Sequence, residues 1–428
     1  MSETVGNLGI IVGGGPAPGI NGVIAAVTIE ARKRNLNVYG ICEGYRWLVK
    51  GDEDKLRKNV KELKIADVSR IHFDGGSILR TSRTNPKKEP NGIENAVKML
   101  KALGIQYLVT IGGDDTAFGA SAIAQAAKGE IRFVHVPKTI DNDLPLPNNL
   151  PTFGYQTARE LGTTLVKNLM EDARTTDRWY IVVAMGRSAG HLALGIAKSA
   201  GATLAIIPEE FGFDEKGKPN KVPFAKICDI FETSIIKRRA MDHNHGVIVI
   251  AEGIIDSIGA EELKKMGIVL EYDPFGNPIL GNVDLGKLIK KEIEKRFKAR
   301  DDKFTTVDIN IGYVLRCTDP IPYDQEYTRD LGYCAMKYLM NPVDNEDVLV
   351  YVDNNEMKTL AFTSILDEHT GKIKIRYVNP NSATYKVARN YMVRLNQRDF
   401  EDTGLLEKMA KIAKISVAEF RQRYESLI

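Results

Sequence analysis

The sequence predicts an α/β protein of two domains with mostly parallel sheets, and three observations carry that prediction. Apolar runs of six to eight residues recur along most of the chain. Each ends in a short polar or glycine-bearing loop, and most of these loops lead into a segment with helical apolar spacing. The runs are near-continuous rather than alternating, as strands are when helices cover both faces of a parallel sheet. Strands alternating with helices imply βαβ units with right-handed crossovers.

Taken in order, Leu8–Gly13 is the first strand, and GGGPAPGIN leads from it into a helix ending near Arg34. Tyr107–Gly113 passes through Asp-Asp-Thr into FGASAIAQAA, and Arg132–Pro137 opens onto KTIDNDLP. Trp179–Met185 passes through GRSAG into HLALGIAKSA, and further strands are expected at Thr203–Glu209, Gly246–Gly253 and Ile309–Leu315. The prolines and asparagines of LPLPNNLP interrupt the pattern and suggest a boundary there. The expected division is residues 1–145, residues 146–322, and a C-terminal segment, 323–428. That segment reads as a helix over Gln325–Met340, a strand DVLVYVD, a hairpin about His369–Lys372 and two short helices, with Ser416 and Glu419 at capping-box spacing.

Composition narrows the function. Of 428 residues, 43% are hydrophobic and 27% charged, the balance of a globular chain. Lys and Arg number 59 against 56 Asp and Glu, so a net charge of +3 argues against nucleic acid or an anionic membrane as the main partner. No run approaches the roughly 18 to 20 apolar residues of a membrane span, and MSETVGNLGI lacks the features of a secretory signal. Cys42, Cys228, Cys317 and Cys334 have neither CxxC nor zinc-site spacing, so reduced thiols in a cytoplasmic protein are expected.

In open parallel sheets chemistry sits at the carboxyl ends of the strands. Gly13, Gly14 and Gly15 let backbone N–H groups approach phosphate oxygens at a helix N-terminus, although such a turn can also be purely structural. GGDDT places Asp114 and Asp115 beside a second glycine turn, where a carboxylate either binds a divalent cation facing a phosphate or caps the helix. PKTIDND brings Lys138, Thr139, Asp141 and Asp143 together. If extended, it would turn both carboxylates to one side, one of them able to act as a general base, and the alternative is an Asx turn. MGRSAG presents Arg187 for a phosphate or transition-state contact. His191, His243, His245 and the basic KRRA run are read as packing, turn and helix-end residues.

In combination and in this order, GGGPAPGIN, GGDDT, PKTIDND and MGRSAG closely resemble the loops of the phosphofructokinase family, with supporting matches in TSRTNP, AEG and YVLR. The matching motifs cover about residues 8 to 335. The resemblance implies two Rossmann-like domains, residues 1–145 for the phosphoryl donor and 146–322 for the sugar phosphate, with a C-terminal helical extension. It implies Asp141 as base toward the 1-hydroxyl of fructose 6-phosphate, Asp143 assisting, and Asp114 holding magnesium. Gly14, Gly15, Arg83, Lys138 and Thr139 would meet the donor, Thr139 at the transferring phosphoryl group. Met185, Gly186, Arg187 and Glu252 would hold the sugar, and Tyr313 and Arg316 its 6-phosphate. Arg178 would reach in from a neighbouring subunit of a homodimer or homotetramer. Where ATP enzymes of the family often carry a further arginine, this chain has Gln325, and the nearest arginine is Arg329.

Asp115 bears on the donor. ATP-using members have glycine there, and a carboxylate both fills the space of an α-phosphate and repels it. Pyrophosphate ends short of that point, and Lys138 offers it an ammonium. Asp115 with Lys138 therefore resembles the pyrophosphate-dependent subgroup, whose reaction is readily reversible. The rivals are an ATP-dependent 6-phosphofructokinase and a non-catalytic regulatory subunit of the same fold. A nucleotide-dependent oxidoreductase is disfavoured because the first loop is not GxGxxG. Sedoheptulose 7-phosphate stays open as a further substrate.

Overall fold

The structure, a computed structural model, describes residues 6–272, 279–342, 347–367 and 373–428. Its strands are β1 (Gly6–Val12), β2 (Leu36–Ile41), β3 (Val60–Glu62), β4 (Ile105–Gly112), β5 (Arg132–Pro137), β6 (Trp179–Ala184), β7 (Leu204–Ile206), β8 (Gly246–Ala251), β9 (Thr306–Ile311), β10 (Val348–Asp353) and β11 (Glu356–Ala361). The chain forms two compact units. Unit one comprises Met1–Ala158 and Tyr313–Arg376, and unit two comprises Arg159–Gly312 and Tyr377–Ile428. LPLPNNLP falls inside unit one, and the residues after 323 are shared between the two units.

Unit one holds a seven-stranded sheet in the order β11-β10-β5-β4-β1-β2-β3. The pairs from β10 through β2 are parallel, with antiparallel edges at β3 and β11. The side chains of β1 alternate between two cores, Leu8, Ile10 and Val12 on one face and Ile11 on the other, so both faces are dry. The helix Ile20–Lys33 sets Ile20, Val23, Ile24, Val27 and Ala31 into the core at helical spacing, buries Asn21, Gly22, Ala25 and Thr28 as well, and ends in Arg32 and Lys33 where cations suit its dipole. The strand order turns around between β1 and β4, from which the chain departs in opposite directions. The loops after these two strands therefore open at the sheet's switch point, where α/β folds bind ligands.

Unit two holds a four-stranded parallel sheet in the order β7-β8-β6-β9. Its core joins Trp179, Ile181, Ile248 and Ile250 to Phe400, Met409, Phe420 and Tyr424 from the end of the chain. The terminal helices thus complete a core, and the capping box forms as its spacing implies, with Ser416 N donating to Glu419 at 2.8 Å and Glu419 N to Ser416 Oγ at 3.2 Å. Buried Glu232 accepts from Arg296 at 2.9 Å and Arg423 at 3.3 Å, and also meets Arg300.

Two expected strands end earlier than their apolar runs. The run ending at Leu315 stops as strand at Ile311, and Tyr313–Arg316 forms a helical turn with Tyr313 and Val314 in solvent. The run ending at Glu209 stops at Ile206, because Pro208 has no N–H for the ladder and opens a 3-10 turn, Pro208–Phe211. The expected hairpin about His369–Lys372 lies outside the described residues, while β10 and β11 form a hairpin of their own.

Asp324 ties the long C-terminal helix of unit one, Pro322–Met340, to the segment after the Pro-Asn loop. It is fully buried and accepts from Gly154 N at 2.8 Å, Thr157 N at 2.9 Å and Thr157 Oγ1 at 2.5 Å. Burial raises its carboxyl pKa, while these donors hold it down. Asp324→Ala leaves these donors unanswered in a dry site. The expected loss is about 3 kcal/mol of stability, read as a lower urea midpoint with an unchanged m-value, and Asp324→Asn should lose less.

Candidate active site

In unit one the first glycine loop is held from two sides. Gly13 N donates to Ile111 O at 2.9 Å and Gly14 N to Ser82 O at 2.9 Å, while Thr81 Oγ1 donates to Gly14 O. This pairing brings exposed Arg83 alongside the loop. Gly14 has φ +80°, a conformation costly for side-chain-bearing residues. A Cβ on Gly13 would stand 2.4 Å from Thr116 Oγ1, and one on Gly112 2.3 Å from the same atom, so the two loops close on one buried threonine.

Lys138 follows β5 and is only 4% exposed, with its Nζ donating to Gly15 O. The Arg316 guanidinium flanks the same glycine, 3.3 Å from where a Gly15 Cβ would lie, and rests on the Tyr313 ring at 4.8 Å. Burial, then the charge of Arg316, push the Lys138 ammonium down to about 8, with Arg83 adding to the effect and Asp141 opposing it. Three cations thus gather on one glycine loop, an arrangement made for an anion with several charges.

The carboxylates stand opposite in sign on neighbouring elements. Asp114 and Asp115 occupy the first turn of the helix Asp114–Ala127, both exposed. Thr139 Oγ1 accepts from Asp141 N at 3.0 Å, and its hydroxyl also bonds Asp143. Burial, and then the charge of Asp114, push the Asp143 carboxyl up to about 6. The segment is not extended as the same-side argument assumed. Asn142 takes a left-handed φ of +57° between the two aspartates, so period-two alternation does not apply. What holds the turn was not visible in the sequence: Arg376, more than 200 residues on, donates to its carbonyls.

Unit two carries the other predicted residues. Met185 N donates to Ile311 O at 3.1 Å, Glu252 N to Ala184 O at 2.9 Å, and Gly253 N to Gly186 O at 3.1 Å, which stitch MGR to AEG. Gly186 has φ +133°. Exposed Arg187 donates from Nε to Asp256 at 3.3 Å, a partner one helical turn beyond Glu252 that sequence reading did not single out. Arg178 is exposed, and its side chain bonds the Tyr180 hydroxyl, which donates to Asp172. Buried Glu209 accepts from Gly190 N at 2.8 Å and Val378 N at 3.1 Å, bracing the far side of MGRSAG.

Gln325 turns back on Pro320 O, donating from Nε2 at 2.6 Å. Arg329 lines a cavity of about 290 Å³ with Glu30, Lys33, His72 and Tyr333. His245 has Asp177 at 3.8 Å, and among the described residues no group of three or more His, Cys, Asp or Glu side chains is gathered for a metal. No helix among them is long and apolar enough to cross a membrane.

Glycine loops at a switch point, clustered cations and neighbouring carboxylates define an α/β protein that handles phosphoryl groups. The chain belongs to the phosphofructokinase family, which it matches over residues 7–339. It is 51% identical over 421 residues, 97% of each chain, to a pyrophosphate–fructose 6-phosphate 1-phosphotransferase of Thermotoga maritima. It is 48% identical over 428 residues, covering 100% of this chain and 97% of the other, to a protein of the same name from Naegleria fowleri. The fold also matches a solved pyrophosphate-dependent phosphofructokinase from Nitrosospira multiformis with a TM-score of 0.66 over 91% of each chain, at 15% identity.

An oxyanion bound beside Lys138 should raise its pKa again. At pH 8 sulfate, which does not titrate there, should therefore bind with net proton uptake, measured by calorimetry in buffers of different ionisation enthalpy. Lys138→Met should abolish the uptake and weaken binding on the order of tenfold.

Proposed function

We infer that the protein transfers a phosphoryl group reversibly from pyrophosphate to the 1-hydroxyl of fructose 6-phosphate, giving fructose 1,6-bisphosphate and phosphate. The observation that carries this reading is the donor corner itself. Buried Lys138 and flanking Arg316 offer charge to a compact polyanion, while Asp115 sets a carboxylate in the first helical turn beside Asp114. A donor continuing past that carboxylate, as a nucleotide does, meets both its volume and its charge. The two near-full-length relatives are named for this reaction.

In this reading the backbone of Gly14 and Gly15, with Arg83 and Lys138, positions pyrophosphate, and the Thr139 hydroxyl meets the transferring group. Asp141 takes the proton of the 1-hydroxyl as the new O–P bond forms, and Asp143 assists it. Arg187 answers the charge that develops in transfer, while Met185, Gly186 and Glu252 orient the sugar. Tyr313 and Arg316 receive the 6-phosphate, and because Arg316 flanks Gly15 its charge also falls on the donor. Arg178 serves a neighbouring subunit of a homodimer or homotetramer, in a cytoplasmic enzyme of glycolysis and gluconeogenesis.

Magnesium fits this corner. The charge of Asp114 is felt by Asp143, and a divalent cation relieves that repulsion. With no larger carboxylate group among the described residues, Asp114 would hold the ion, which characteristically keeps water and phosphate oxygens as its other ligands. When bound, it neutralises charge on the phosphoanhydride.

With fructose 6-phosphate and magnesium, the protein should turn over with pyrophosphate and not with ATP, and Asp115→Gly should admit ATP. Turnover of the parent with ATP alone would overturn the donor. Asp141→Asn should lower kcat by about 10³-fold with KM values little changed. Arg178→Ala should assemble normally and lose affinity for fructose 6-phosphate, and unchanged affinity in an intact oligomer would remove the cross-subunit role.

A further inference from the structure

The loop between β5 and the helix Tyr155–Thr176 carries the two aspartates but has almost no regular hydrogen bonding of its own. A single bridge, Lys138 to Phe153, closes its base. Its main chain must turn at left-handed Asn142 and then run through Leu146 and Leu150, leaving carbonyls that point inward and need donors. Arg376 supplies them. Its Nε donates to Asn142 O at 3.1 Å, one terminal nitrogen to the same carbonyl at 2.9 Å, and the other to Leu150 O at 2.7 Å and Leu146 O at 3.4 Å. The guanidinium also bonds the Asn142 side-chain oxygen, which accepts from Thr152 N at 3.1 Å. The Arg376 main chain joins in, its N donating to Asp143 O at 2.7 Å.

We propose that Arg376 is a positioning residue for the phosphoryl transfer, the clamp that sets the Asp141–Asp143 turn. The inference rests on the reaction assigned above. The bonds fall on the backbone between and beyond the two aspartates and on the Asn142 side chain, so Arg376 acts through the turn and not on a substrate. Only a planar fork of N–H donors spans three carbonyls at once, and the three donors of an ammonium, set on a single atom, do not reproduce that reach. The donor cations Lys138 and Arg83 stand outside the clamp. Its loss therefore displaces the base and leaves the Lys138 and Arg83 charges at the donor in place. A displacement near 1 Å at the reacting groups costs on the order of 10²-fold in rate.

The test uses the full chain, unsubstituted and as Arg376→Ala and Arg376→Lys, with kcat and both KM values, thermal midpoints, and hydrogen exchange of the amides over residues 139–152. Arg376→Ala should lose about 10²-fold in kcat with KM for pyrophosphate changed less than about threefold. Millimolar guanidinium should recover part of that kcat, which a merely structural loss would not allow. Arg376→Lys should fold and still lose about tenfold in kcat, so it carries the test if the alanine variant does not fold. Exchange over 139–152 should quicken in both. Wild-type kcat in Arg376→Lys, or a KM for pyrophosphate that rises as far as kcat falls, overturns the proposal. If the unsubstituted protein does not turn over with pyrophosphate, the assigned reaction fails on its own. The exchange data then decide the clamp, with unchanged exchange overturning it.

Discussion

An ammonium taken out of water needs an answering charge, and Lys138 sits where solvent hardly reaches, with the Arg316 guanidinium as the strongest charge it feels, ahead of the Asp141 carboxylate. What it touches directly is a backbone oxygen, that of Gly15. Burial beside a like charge is costly to an ammonium, and an oxyanion beside it would restore the charge balance that burial removed. Much of unit one serves to keep this arrangement in place. The parallel sheet delivers the ends of β1, β4 and β5 side by side, and Thr116 closes the two glycine turns on each other.

The same corner separates its charges by element. Cations come from the end of β5, from the segment paired with the first glycine loop and from the helical turn Tyr313–Arg316. Carboxylates come from the start of the helix Asp114–Ala127, where the helix dipole favours them, and from the turn at Asn142. Burial and then the charge of Asp114 raise Asp143, while burial and then the charge of Arg316 lower Lys138. Like charges are thus crowded on each side, cations against cations and carboxylates against carboxylates.

The end of the chain contributes more to both units than its plain sequence suggests. In unit one, Asp324 and Arg376 tie down backbone near the aspartate loop, one with a buried carboxylate and the other with a guanidinium. In unit two, Phe400, Phe420 and Tyr424 fill the core, and Val378 N shares Glu209 with the loop that carries Arg187. In both cases groups remote in sequence satisfy loop backbone that has no ladder partner.

The sequence by itself determined the sheet strands with continuous apolar runs, the glycine turns, the capping box at Ser416 and the family, because each of these is a local pattern of periodicity or backbone permissiveness. The edge strands β3 and β11 were less legible, since none of their residues is buried. Tertiary structure alone decided that Asn142 breaks the extended run between Asp141 and Asp143, that Gln325 turns to Pro320, that Asp256 meets Arg187, and that Arg376 holds the Asp141–Asp143 turn. The last three are side-chain hydrogen bonds between residues whose separation in sequence carries no period. An arginine that donates to distant carbonyls looks, along the chain, like any other arginine.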